Sequence, residues 1–531
     1  MKIYLIRHGE SIGNVKKGFI SGQSDQNGLT FKGKVQAIRT AYLIKGRKID
    51  RIFASPVARA KETAQVIGES AGKKVEYRDF LKELSYGSFE GRYWWEVVSK
   101  FEHSRLFNGW DFNASYDQGE SINQLFKRVS DGLNELLPKL EIDGEYAFVS
   151  HQAVIGCMRY YFLREDFDTT VAKNKTNDFL KFFHGRQIGN AEVIEIFRQK
   201  FKKSREQEIN VLKNLKPDKR SVLFYATKIL KLKENVVLKK IVTASPNIVY
   251  EIKDSSREIL MKLISYKDKS ALFNQIKIYE YLTLNKINVP KLIMSDDSAC
   301  FFESTVVFQD YKKGSTLERS VDSDTASLKK LLKNTFNEIN KIHNLNSDEI
   351  KDFWNSEEAK KIPDWSDFMT HNIQKTLQIT QGFLKEKGIG DVVYRDLSNL
   401  KKYILEKKYK NVPLHGDLGT GNIVMLTDAK SGSVRIIDFE FTRFGDKLWD
   451  YVYLWGFLER ESISAAKIWF DILRHKFADN LDQLFLYKTL FHVWSIRDTF
   501  DYANMKKVHN RRGSNSFRAL IIYPRSYYLK N

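Results

Sequence analysis

Two cysteines, Cys157 and Cys300, are all that this 531-residue chain contains. Each stands in an apolar segment, so a disulfide framework is excluded and a reducing compartment, the cytoplasm, is expected. No run approaches twenty uninterrupted apolar residues, so no transmembrane span is expected. The opening stretch MKIYLIRHGES lacks the long apolar core and small-residue cleavage site of a signal peptide, and reads as a strand entering a loop. Internal repeats and low-complexity tracts are missing. So are helix-turn-helix, zinc-finger and RNA-recognition signatures. That absence matters because the net charge of +21 would otherwise suggest nucleic acid. The excess is local: residues 201–240 hold twelve basic side chains against four acidic, and residues 506–531 hold seven against none. These read as a solvated linker and a basic tail. Their possible partners are an anionic surface, such as a membrane face, or another subunit.

The length predicts two or three domains. Near the start, Lys2 to Ile6 form a predicted strand, followed by Arg7 and His8. A histidine beside an arginine at a strand's C-terminal end suits phosphate chemistry. The imidazole can attack phosphorus and the guanidinium neutralises the oxygens. An ordered series follows: Gly28-Leu29-Thr30 opening an amphipathic helix, a strand and turn at Ile52 to Pro56, Arg59 on a helix, and Leu81-Lys82-Glu83-Leu84. Gly119-Glu120-Ser121 with Arg128 comes next, then the strand Tyr146 to Ser150, ending at His151. Strands alternate with helices, so an α/β domain with a mainly parallel sheet is expected. Its polar residues gather at strand C-termini, where such sheets place their sites.

This series resembles the histidine phosphatase superfamily, the phosphoglycerate-mutase-like fold. The resemblance implies a three-layer α/β phosphatase domain over residues 1–200. His8 would be the phosphorylated nucleophile, with Arg7, Asn14, Arg59 and His151 around the phosphate and Ser21 nearby. Glu83 would protonate the leaving oxygen. Gln152 stands where the family usually has glycine, a change that would narrow the pocket or re-aim a loop. The domain is compact, with only the aromatic stretch Tyr93 to Trp110 as a cap. That favours a phosphatase over a mutase.

Residues 201–220 read as a charged connector. Beyond them, Asn247 to Ile252 and Glu258 to Ile264 look like paired strands, and Lys262 lies in the second. Val306 to Tyr311 is another strand, containing Phe308 and Asp310. The stretch VPLHGDLGTGNIVML, a turn, and VRIIDFEF then make a strand, a polar loop and further strands. Asp417, Asn422 and Asp438 on this scaffold have the spacing of a phosphoryl transferase. One carboxylate accepts the proton of an attacking hydroxyl; an amide and a second carboxylate hold magnesium on nucleotide phosphates.

These residues, with Gly445-Asp446 and Asp450, resemble the aminoglycoside phosphotransferase and choline kinase family of small-molecule kinases. The resemblance implies a bilobal, protein-kinase-like α+β domain over 221–505, with an N-lobe to about 315, a C-lobe from about 316, and a basic tail at 506–531. It makes Asp417 the catalytic base and Asn422 and Asp438 the magnesium ligands. It places Lys262 on the nucleotide phosphates and the backbone around Phe308 and Asp310 against a purine, with ATP or GTP as donor. Glu440 replaces a glycine of protein kinases and argues against that branch. Gln275 falls where the family keeps the glutamate that pairs with the lysine. Either glutamine holds Lys262 by hydrogen bond alone or the alignment slips, with Glu280 the only acid in that helix. The loop Thr243 to Asn247 lacks glycine.

The expectation is a bifunctional enzyme. One half would hydrolyse a small phosphorylated metabolite. The other would phosphorylate a small-molecule alcohol, such as a sugar or amino alcohol. The two could act in sequence on one metabolite. The alternatives are an N-terminal mutase, or a C-terminal part that binds nucleotide without turnover and regulates the phosphatase.

Overall fold

The computed structural model describes residues 1–97, 115, 118–163, 188–199, 202–208, 215–233, 235–241, 247–265, 269–346, 364–427, 433–503 and 510–529. The chain divides into two compact units, Met1–Leu238 with Asp296–Thr305, and Lys239–Ser295 with Val306–Asn531.

The first unit is built on six strands: β1 (Lys2–Arg7), β2 (Ile49–Ala54), β3 (Val75–Tyr77), β4 (Glu145–Ser150), β5 (Val193–Gln199) and β6 (Lys202–Glu208), in the order β3-β2-β4-β1-β5-β6. The contacts of β4 with β1 and β2, and of β2 with β3, are parallel. Both β5 and β6 run antiparallel to their neighbours. Ile3, Tyr4, Leu5 and Ile6 of β1 are buried in succession, as a central strand covered on both faces requires. Among the helices is Ile122–Leu136, opened by a capping box in which Ser121 and Gln124 satisfy each other's backbone N–H groups. Its Leu125, Phe126, Val129 and Leu133 join Ile3, Leu5 and Phe148 in the core. Each such side chain stabilises the fold by roughly 1.5–3 kcal/mol.

The expected connector over 201–220 takes another form. Residues 202–208 are the edge strand β6, and Lys219–Leu230 is a helix whose Val222, Phe224 and Tyr225 are buried. Phe224 meets Tyr42 at 5.2 Å, and Tyr225 meets Phe301 at 4.8 Å. The lysines lie on the outside of an amphipathic helix, and its apolar face decides where it packs.

The second unit contains β7 (Val237–Ile241), which starts at the unit boundary, then β8 (Ile248–Lys253), β9 (Glu258–Ser265), β10 (Leu292–Asp296) and β11 (Ser304–Asp310). They form a sheet in the order β10-β11-β9-β8-β7. Two smaller sheets follow. One joins β12 (Gly314–Thr316), β14 (Ile423–Leu426) and β15 (Val434–Ile436); the other joins β13 (Asn411–Leu414) and β16 (Arg443–Asp446). The remainder is mainly helical. Trp455 and Trp469 are fully buried there, and Trp455 stacks on Phe470 at 5.0 Å. These aromatics are core. The tail at 506–531 also departs from expectation, since Asn510–Ile522 and Arg525–Leu529 are helices. Tyr528 is buried, and its hydroxyl donates to Glu459 at 2.5 Å. Among the described residues no helix is long and apolar enough to cross a membrane.

Candidate functional site

In the first unit the C-terminal ends of β1, β2 and β4 converge. The His8 N–H donates to the Ser150 carbonyl and prolongs the β1–β4 pairing by one residue. The loop then lies tight against the helix Phe31–Ile44. A Cβ on Gly9 would stand 2.4 Å from the Gly33 carbonyl oxygen, so only glycine fits. The Gly9 N–H donates to Thr63 Oγ1 at 3.1 Å. The side chain of His8 is buried. Its Nδ1 lies 2.7 Å from the Gly9 carbonyl oxygen and donates to it, so Nε2 carries the lone pair. Arg59 Nε lies 3.2 Å from that Nε2. The rings of His8 and His151 are 5.1 Å apart.

Burial, and then the Arg59 charge, hold both histidines well below the ordinary imidazole pKa. His8 is therefore neutral at neutral pH. Ser55 Oγ accepts the Val57 N–H and sits 2.9 Å from His151 Nε2. In the tautomer where this hydroxyl donates to Nε2, Nδ1 of His151 carries the proton. Arg7 Nε, Arg59 Nη1 and His151 Nδ1 are buried and have no partner among the described residues. Three such donors beside a neutral imidazole make a cradle for a compact anion with several oxygens.

Glu83 faces the same charges. Its carboxylate accepts N–H groups from Leu84 at 2.9 Å and Ala153 at 3.4 Å. Burial raises its pKa, against the pull of those bonds and of Arg59 and Arg7. A carboxyl held partly protonated beside a nucleophile can donate to a leaving oxygen. Asn14 is placed differently from Arg7, Arg59 and His151. It is exposed, and its side-chain oxygen accepts from Ser11 N–H and Oγ; it serves the short helix Ile12–Val15. Arg128 is a residue whose role the sequence reading missed. Its guanidinium donates to the carbonyls of Asp79, Phe80, Lys82 and Glu83 and forks onto Glu120. Of the expected aromatic cap, Tyr93 to Trp110, residues 98–110 lie outside the described residues.

In the second unit β13 pairs with β16, and the loop after β13 is pinned by Asp450. The N–H groups of His415 and Gly416 donate to its two oxygens at 2.8 and 2.9 Å, and His343 Nε2 lies 2.9 Å away. Gly416 has a φ of 85°, and a Cβ there would stand 2.2 Å from the Phe441 carbonyl oxygen; a side chain is excluded on both counts. Asn422 Nδ2 donates to the Asp417 carbonyl at 2.8 Å. The Ile437 N–H donates to the Asn422 carbonyl, which holds Asn422 next to the turn bearing Asp438. Asp438 has left-handed backbone, φ 72°, a conformation concentrated at functional sites. Its Oδ1 receives Lys262 Nζ at 2.8 Å. Tyr453 donates to Asp417 Oδ1 at 2.6 Å. An amide oxygen and a carboxylate are the hard donors that magnesium takes, so Asn422 and Asp438 fit that ion.

Lys262 meets Asp438, while the side chain of Gln275, on the helix Lys269–Leu284, lies outside the described residues. Glu280 pairs with Lys277. Phe308 is fully buried. Asp310 donates its backbone N–H to the Lys291 carbonyl, and its carboxylate accepts the Lys291 N–H and the Arg435 guanidinium. Residues 242–246, most of the glycine-free loop, lie outside the described residues.

Residues 3–177 match the histidine phosphatase superfamily (branch 1), and residues 243–489 match the phosphotransferase enzyme family. The "Probable phosphoglycerate mutase GpmB" proteins of Escherichia coli O139:H28 and Shigella boydii serotype 18 are each 33% identical over 160 residues, covering 30% of this chain and 73% of theirs. Among solved structures, mycobacterial glucosyl-3-phosphoglycerate phosphatase is 22% identical, covering 39% of this chain and 98% of its own, with a TM-score of 0.33. Phosphoserine phosphatase of Entamoeba histolytica is 28% identical, covering 39% and 95%, with a TM-score of 0.32. The chain belongs, through its N-terminal domain, to the histidine phosphatase superfamily, and carries a C-terminal domain of the phosphotransferase enzyme family.

Proposed function

We propose that the N-terminal domain hydrolyses a phosphomonoester of a small metabolite through phospho-His8. The observation that carries this is the neutral His8 Nε2 beside buried Arg7, Arg59 and His151 nitrogens that have no partner among the described residues. His8 Nε2 forms a bond to phosphorus as the ester P–O bond breaks, and the leaving oxygen takes the Glu83 proton. Water then attacks phosphorus, the N–P bond breaks, and the water proton returns to Glu83. The test is phosphate release from a panel of phosphorylated metabolites by the whole chain. His8→Ala should abolish it. The name of the 33% identical relatives, probable phosphoglycerate mutase, supports a second reading, a mutase. Isomer formation without release of inorganic phosphate would favour that reading.

The C-terminal domain is proposed to move the γ-phosphoryl group of ATP or GTP to a small-molecule alcohol. Asp417 takes the hydroxyl proton, Lys262 neutralises phosphate oxygens, and Asn422 and Asp438 hold magnesium. When bound, the ion neutralises charge on the phosphates. Asp417→Asn should stop nucleotide consumption and leave phosphate release by the other domain intact. Unchanged consumption would end this reading and favour a nucleotide-binding regulator. Fusion of the two domains supports sequential action on one metabolite; a phosphatase product that the kinase domain ignores would exclude it.

A further inference from the structure

One face of a single helix grips the loop bearing Asp417. The helix Leu448–Glu461 presents Asp450, Tyr453, Phe457 and Glu461 at spacings of three, four and four residues, which puts them in one row. Asp450 takes the backbone of His415 and Gly416. Phe457 abuts Gly419, where a Cβ would stand 3.1 Å from its ring. Glu461 accepts the Thr420 hydroxyl at 2.8 Å. Tyr453 reaches the reacting side chain, through the 2.6 Å bond to Asp417 Oδ1.

We propose that Tyr453 is the positioning residue of the phosphoryl-transfer site: its phenol donates to Oδ1 of Asp417 and so orients the carboxylate that takes the acceptor's proton. This rests on the reading of Asp417 as base. The phenol is itself fixed. Its ring lies 5.5 Å from Trp449 and Phe457 and 5.1 Å from Phe491. The charged groups facing it are Asp417 on the loop, Arg460 on its own helix and Asp498 on the helix Leu481–Ala503. Burial and the Asp417 charge keep the phenol protonated well above its ordinary range, so it remains a donor wherever the enzyme is folded. In the step it serves, the acceptor oxygen bonds to the γ-phosphorus and the bridging P–O bond breaks. The nucleoside diphosphate leaves, and the acceptor's proton passes to the Asp417 carboxylate. Without Tyr453 that carboxylate loses a stabilising donor.

The test uses the whole chain carrying His8→Ala, so that the phosphatase domain contributes no background. ADP formation from MgATP with water as acceptor is followed against pH. Tyr453→Phe keeps the ring and removes the donor. We expect kcat to fall about tenfold, the size of a lost hydrogen bond to a charged group. KM for MgATP should stay within about twofold, and the acid limb of kcat should move to higher pH. Phe457→Leu is the packing control; it should lower Tm without moving that limb. A Tyr453→Phe enzyme with unchanged kcat and acid limb overturns the proposal, as does one whose loss tracks Tm alone. If the His8→Ala chain forms no ADP, or Asp417→Asn forms it at the same rate, the reading beneath the proposal fails, and the proposal with it.

Discussion

A histidine attacks phosphorus only while the attacking nitrogen keeps its lone pair, and in His8 two neighbours see to this. The Gly9 carbonyl takes the Nδ1 proton, and burial with the nearby guanidiniums keeps the ring from gaining a second. Glu83 is biased the other way, raised above its ordinary 4.5 by burial. The signs give a bell-shaped profile for phosphatase kcat/KM. Activity is lost on acidification only well below pH 6.5, where His8 protonates, and on alkalinisation above pH 4.5, as Glu83 gives up its proton. Glu83→Gln should remove the alkaline limb and slow hydrolysis of alkyl phosphates by about 10²–10⁴-fold. A one-equivalent burst of nitrophenol from p-nitrophenyl phosphate should survive, because that leaving group needs no acid. Gln152, which looked anomalous in sequence, has a use. Its side-chain oxygen accepts the Ile188 N–H, and the Ile188 carbonyl accepts Arg7 Nη1. Gln152→Gly should raise KM for phosphorylated substrates by up to about tenfold, the worth of one hydrogen bond, with a smaller effect on kcat.

Elements were legible where periodicity was strong, and site contacts were not. Strands over Lys2–Ile6 and Tyr146–Ser150 were both predicted, and β1 and β4 lie side by side in parallel. The Arg128 fork could not be read, because its partners are the carbonyls of residues 79–83, and carbonyls carry no sequence signal. Arg128→Lys keeps the charge and loses the fork. It should reduce phosphatase kcat by about tenfold or more through the Glu83 loop, while ADP formation stays unchanged. The Asp450 latch belongs to the same scale. Burial alone would raise its pKa, but His343, His415 and the Gly416 N–H hold it below 3.8. Its contribution to stability is therefore present above pH 3.8 and is lost as pH falls through the depressed value. Asp450→Asn turns one acceptor into a donor facing backbone N–H groups. It should cost about 1–3 kcal/mol of kinase-domain stability, read as a lower denaturation midpoint.

At the scale of the molecule, the C-terminal residues complete the second unit. Glu459 is buried with Lys488 at 3.0 Å, His492 at 2.6 Å and the Tyr528 hydroxyl; Lys488 also donates to the Tyr523 carbonyl. Removing residues 510–531 would strip this buried carboxylate of a donor and the lysine of an acceptor. Breaking such a cluster costs about 3–5 kcal/mol, so the truncated chain should show a lowered unfolding midpoint in the kinase domain and an unshifted one in the phosphatase domain. Equal midpoints before and after truncation would contradict this account.

The chain by itself determined the two domain families, the strands that carry their loops, and which side-chain types can handle phosphate. Those depend on short-range order: apolar periodicity and motif spacing within a few tens of residues. The tertiary structure decided which groups meet. Lys262 and Asp438 stand 176 residues apart, and the pairing of one with the other, and of Tyr453 with Asp417, follows from how helices and strands pack. It also decided that β6, Lys219–Leu230, Asn510–Ile522 and Arg525–Leu529 form within the charged segments, because a row of lysines says nothing about the apolar face behind it. Burial, which keeps His8 neutral and raises the pKa of Glu83, is likewise a property of the packed molecule.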